Sequence, residues 1–124
     1  MAKRRNQPER KLHLQVTQYL ARALPDNAFY FPVPNAANFD PIRGARLRQS
    51  GEIRAGVPDL IVIWAGKVIA VELKAPQGGG LSPVQRDVRD LMLLAGCTHH
   101  IVRTIEQLHE ALESYQMPLK VRLV

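Results

Sequence analysis

The sequence predicts an α/β domain, a mixed sheet flanked by helices in the order α-β-β-β-α-β-α. Three observations carry this. Two aliphatic runs, Leu60–Trp64 and Lys67–Leu73, read as continuously buried strands and are separated only by Ala65-Gly66, a turn short enough to force an antiparallel pair. The run Ser82-Pro83-x-Gln85 opens a helix with a capping box and a proline at its first position. A further β-rich run at 98–103 follows it, so the strand–helix–strand unit 67–103 should be a right-handed parallel crossover.

The remaining elements follow in order. Residues 1–7 read as a flexible basic arm, 8–116 as a single domain and 117–124 as a tail that is either a short added strand or a partner-binding segment. From Pro8 the residues Leu12, Val16, Tyr19, Leu20 and Ala23 form one helical stripe, which Pro25 ends. Residues 28–33 alternate two aromatics, Phe29 and Phe31, and their prolines make them an edge strand. Residues 34–56 lack a sustained apolar period, and a connection of that length in a compact domain is usually functional or disordered. A short helix is expected within it, over 44–49. In the helix after Ser82, the buried stripe should be Val84, Val88, Leu91, Met92 and Ala95, with Gly96 as the stop. Thr104 with Gln107 repeats the capping box and starts a last helix reaching about Tyr115.

Composition narrows the function. At 124 residues the chain holds one core, and no apolar run approaches the roughly 18 residues needed to cross a bilayer. The basic start MAKRRNQPERK leads into no apolar signal core, so secretion is not expected. The lone Cys97 cannot form an internal disulfide, which suits a reducing compartment; it reads as a small buried residue. No CxxC or HExxH spacing supports a structural zinc site. Seventeen Lys and Arg against eleven Asp and Glu favour a polyanionic partner.

Charges at the ends of the two aliphatic runs are the strongest chemical signal. Counting back from Ala65-Gly66 pairs Trp64 with Lys67, Ile63 with Val68, Val62 with Ile69 and Ile61 with Ala70, which sets Asp59 opposite Glu72. Lys74, two residues on, shares that face. Facing carboxylates repel unless a cation stands between them. With a main-chain carbonyl such as that of Leu73 and several waters, they suit Mg²⁺ (or Mn²⁺), and such a centre can direct water at phosphorus. A plain strand-end ion pair of Lys74 with either acid is the competing reading. His99 and His100 point to opposite sheet faces and read as core or surface histidines, and Trp64 reads as packing in or near the sheet.

Pro58-Asp59 followed by Glu72-x-Lys74 resembles the PD-(D/E)xK nuclease signature, whose restriction-endonuclease-like core is αβββαβ. Asn35, the Arg/Gly loop, Gly56-Val57-Pro58-Asp59-Leu60, Val71-Glu72-Leu73-Lys74 and Leu81-Ser82-Pro83-x-Gln85 together resemble a stand-alone VRR-NUC domain. The resemblance implies metal ligation by Asp59 and Glu72, catalysis by Lys74, and a supporting role for Gln85. It implies an acid in the first helix; here the candidates are Glu9, His13 and Gln15. Asn35, Arg43, Arg46, Arg48 and Arg54 are the candidate DNA contacts, and the expected activity is a metal-dependent, structure-selective endodeoxyribonuclease similar to Holliday-junction resolvases. The implied setting is a homodimer acting on DNA in bacterial or phage-infected cytoplasm, with no membrane. The rival is a non-catalytic nucleic-acid-binding module of the same fold.

Overall fold

The structure, a computed structural model, describes residues 7–123, so the expected basic arm lies outside the described residues except for Gln7. α1 (Gln7–Ala23) buries Leu12, Val16, Tyr19, Leu20 and Ala23, each within four residues of the next, as a helix with one apolar face must. β1 (Ala28–Pro32), β2 (Leu60–Trp64), β3 (Lys67–Leu73) and β4 (Thr98–Val102) form one sheet in that spatial order. β1 and β2 are antiparallel, as are β2 and β3, whereas β3 and β4 run parallel. β1 is an edge strand, where Pro32 costs no ladder bond.

The β2–β3 register is the one the turn dictates, from Trp64↔Lys67 to Leu60↔Val71. Ala65 and Gly66 have φ of 50° and 76°, both positive, as the tightest hairpin turn requires. Leu60, Val62, Ile69, Val71 and Leu73 share the core with α1 and with α4 (Ile105–Glu113), which contributes Leu108 and Leu112. The alternate residues, Ile61, Ala70 and Glu72 among them, belong to the opposite face, toward α3 (Pro83–Leu94).

Several expectations need correcting. The helix expected at 44–49 is longer: α2 (Pro41–Ser50) starts at an Asp40 cap with Pro41 at its first position and stops at Gly51. It packs on a 3-10 turn, Ala36–Asn38, and not on the sheet. The expected stripe of α3 is mostly uncovered: Val88 alone is buried, Val84 and Leu91 are about half exposed, Met92 is half-buried and Ala95 is exposed. α3 meets the sheet through β4, and among the described residues most of its apolar face is left exposed. The last helix ends at Glu113, and its capping box is incomplete, because Gln107 accepts from the Arg103 N–H (2.7 Å) and not from Thr104. The 117–123 tail forms no strand. It packs back on α1, burying Met117 and placing the Lys120 N–H on the Ala23 carbonyl (2.8 Å). Cys97, expected to be buried, is only half-buried after the turn at Gly96.

Candidate active site

At the hairpin end away from Ala65-Gly66, the ladder stops at Leu60↔Val71, and Asp59 and Glu72 come next on each side. Both carboxyls are taken out of water, Asp59 being 5% and Glu72 3% exposed. Asp59 is fixed twice. Its carbonyl accepts from the Val33 N–H (2.9 Å), and its Oδ2 accepts from the Leu73 N–H (2.8 Å). Gly56 prepares this approach: it has φ of 83°, and a Cβ there would lie 2.6 Å from the Val84 carbonyl oxygen, so only glycine lets this loop pass under α3.

Gln85 ties the other members together. Its Nε2 donates to Glu72 Oε1 (3.0 Å), and its Oε1 accepts from Lys74 Nζ (2.9 Å) and from the Ser82 N–H (2.9 Å). One side chain thus closes the capping box and also contacts Glu72 and Lys74. Because the amide is locked at both ends, the half-buried Lys74 ammonium and one Glu72 oxygen are held at set positions.

One atom is left over. Glu72 Oε2 is buried without a donor among the described residues. Burial first, and the neighbouring Asp59 charge second, push the Glu72 carboxyl well above the usual carboxylate range, while Lys74 pulls the other way. Two buried acceptors facing each other need a proton or a cation between them. The donor set, two carboxylates beside a main-chain segment, fits a hard divalent ion.

The candidates in the first helix separate by geometry. His13 lines an open cleft of about 770 Å³ together with Asp59, Asn35 and Arg10. Glu9, one turn before His13, contributes to raising Glu72. Gln15 lies on the other side of α1, in a groove with Arg22 and Arg103. Among the described residues, no group of three or more His, Cys, Asp or Glu side chains assembles to hold a metal. Arg10 was missed in the sequence, although Arg10, His13, Leu14 and Thr17 have the spacing of one helical face and all line the cleft.

The candidate DNA contacts are not one cluster. Arg43, Arg46, Arg48 and Arg54 are all exposed. Helical geometry puts Arg43 and Arg46 on one side of α2 and Arg48 nearly opposite Arg46, with Arg54 in the following loop. Arg43 stands over the Phe39 ring, 5.4 Å from its centroid. Asn35 caps the 3-10 turn, accepting from the Ala37 N–H (2.9 Å), and so presents its side chain at the cleft rim. His99 and His100 do point apart: His100 hydrogen-bonds Tyr115, while burial and Arg89 lower the His99 pKa. Trp64 packs against the core, as expected.

No family model and no curated protein matches the sequence. Among solved structures, one described as a "VRR_NUC domain protein" is similar over 90% of this chain and 89% of its own, with a TM-score of 0.67 and 17% identity. No helix among the described residues is long and apolar enough to cross a membrane. The order of elements, the mixed sheet and that likeness agree: this chain has the fold of a VRR-NUC domain.

Proposed function

We propose that the protein is a metal-dependent endodeoxyribonuclease that hydrolyses phosphodiester bonds in branched DNA, as a homodimer. The observation that carries this reading is the pair of buried carboxyls, Glu72 and Asp59, close enough for the Asp59 charge to raise the cost of charging Glu72, beside a Lys74 held by Gln85. Lys74 donates to Gln85, the side chain that also holds Glu72 Oε1, so the ammonium is fixed beside the carboxyl pair.

Asp59, Glu72 and the Leu73 carbonyl would hold Mg²⁺ or Mn²⁺. Bound there, the ion supplies Lewis acidity toward the phosphate and lowers the pKa of water. Lys74 keeps a positive charge where negative charge grows on the phosphate, and Gln85 holds it there without reorganisation. Arg10 and Asn35 in the cleft, and Arg43 with Arg46 on α2, suit the sugar-phosphate strands on either side. A structure-selective enzyme making paired cuts needs two sites. The uncovered stripe of α3 is a surface on which a second copy could sit.

Labelled linear duplex, flap and four-way-junction DNA, each incubated with Mg²⁺, Mn²⁺ or EDTA, test the reading. The expected outcome is cleavage that needs the metal, favours the junction and disappears in Lys74→Ala. Binding without products under every condition would instead make the protein a non-catalytic nucleic-acid-binding module.

A further inference from the structure

The segment between Lys74 and Gln85 must place α3 so that Gln85 meets both Lys74 and Glu72, yet it packs against almost nothing. Ala75 and Leu81 are buried at its two ends, while residues 76–80 are exposed. A Cβ added at Gly79 or Gly80 would meet no atom within 4 Å. Gly78 is held by its N–H on the Ala75 carbonyl (2.9 Å), but Gly79 and Gly80 stand in open space with large conformational freedom. The capping box at Ser82 fixes the start of α3 relative to itself, not relative to β3.

One side chain supplies the missing constraint. Arg103, the residue after β4, donates from Nη1 to the carbonyls of Ala75 (2.7 Å) and Gly78 (3.0 Å), and from Nη2 to that of Gly79 (2.9 Å). A rigid guanidinium fork gathers three carbonyls at fixed angles, which a lysine ammonium does not. The base of the fork is itself held, because the Arg103 N–H donates to Gln107 Oε1 (2.7 Å). The ends of the two strands are also joined, the Lys74 N–H donating to the Val102 carbonyl (3.0 Å).

We propose that Arg103 is a positioning residue: it clamps the glycine loop 76–80 so that Gln85 reaches Lys74 and Glu72 together. The inference rests on the nuclease reading of this site. Its effect on turnover passes through Gln85, so it predicts a loss in kcat without a matching loss in DNA binding.

The test compares wild type, Arg103→Gln, Arg103→Lys and the triple variant R103Q/G79A/G80A by ¹⁵N NMR of the Gln85 side-chain amide and by junction cleavage. In Arg103→Gln the Gln85 amide signal moves toward that of an exposed glutamine, and order parameters over 76–80 fall below about 0.6. Its kcat falls about ten- to a hundredfold while KM stays within about threefold. Neither Gly79 nor Gly80 has a left-handed φ, so alanine fits both positions and stiffens the loop. The triple variant should therefore recover about threefold or more of kcat over Arg103→Gln. Arg103→Lys gives an intermediate amide shift, and it carries the test if Arg103→Gln fails to fold.

An unchanged Gln85 signal with an ordered loop in Arg103→Gln overturns the proposal. So does a displaced signal with normal kcat, or a loss that lies in KM. A wild-type protein that cleaves nothing refutes the nuclease reading instead, and the clamp then stands or falls on the Gln85 signal alone.

Discussion

α3 and α4 begin with the same four-residue pattern and end up as opposites. Each has a Ser or Thr cap followed three residues later by Gln, and in each the cap hydroxyl accepts the N3 amide, Gln85 or Gln107. In α3 the Gln85 carboxamide closes the box and still reaches Glu72 and Lys74. In α4 the Gln107 oxygen turns away to the Arg103 N–H. Their apolar faces differ in the same sense: Leu108 and Leu112 of α4 are 0% exposed, whereas Leu91 of α3 is 53% exposed. α4 is built into the core. α3 is hung at the edge of the sheet by its polar first turn, and that turn is the part touching the site. One local signature thus serves packing in one helix and chemistry in the other, and what decides is which strand residues lie across from it.

The largest effect should come from removing the group that α3 positions. Lys74→Ala is expected to cut metal-dependent cleavage by about a thousandfold or more, about 4 kcal/mol of transition-state stabilisation, with little change in the urea midpoint. A thousandfold loss accompanied by unfolding would mean that Lys74 is structural and that α3 and α4 do not differ in kind. On the α4 side, Leu112→Ala should cost about 2–5 kcal/mol in urea unfolding, since its fully buried side chain leaves a cavity between α1 and the sheet. A cost under about 1 kcal/mol would show that α4 is as loosely held as α3.

The two glutamines give the sharper contrast. Gln85→Ala strands the Lys74 ammonium and Glu72 Oε1, so cleavage should drop about ten- to a hundredfold. Gln107→Ala loosens only the backbone support of Arg103, so cleavage should fall by less than about fivefold, well short of the Gln85→Ala loss, and about 0.5–1.5 kcal/mol of stability goes with one hydrogen bond to a backbone N–H. Equal kinetic losses in the two variants would erase the distinction between the helix starts.

How far the sequence foretold this depends on whether the signal was local. The two-residue turn at Ala65-Gly66 leaves one tight register, so the β2–β3 pairing and the meeting of Asp59 with Glu72 could be counted out residue by residue. The Ser82 cap was equally legible, because all its partners lie within one helical turn. The Asp40-Pro41 start and Gly51 stop of α2 are local signals too. Others were not local. Periodicity says which face of a helix is apolar but not whether anything covers it, so the stripe of α3 was read as buried. Gln107 and Arg103 chose partners brought in by the β3–β4 crossover, and Arg10 became a cleft residue only once α1 lay beside Asp59. The fourth ligand expected from the first helix also depends on tertiary approach, which leaves Glu9 and His13 on the site side and Gln15 away from it.

The smallest expected effect tests the outer face of α3. Leu94 projects from the helix end with most of its side chain in water, so Leu94→Ser removes little buried surface. In the isolated chain the unfolding free energy should move by no more than about 0.5 kcal/mol, the usual range for surface changes. Urea unfolding at micromolar and at hundredfold higher protein concentration measures this directly. If the same substitution costs more than about 1 kcal/mol only at the higher concentration, mass action places a second copy against that end of α3. Then α3, like α4, has a buried face, but one completed between chains and not within one.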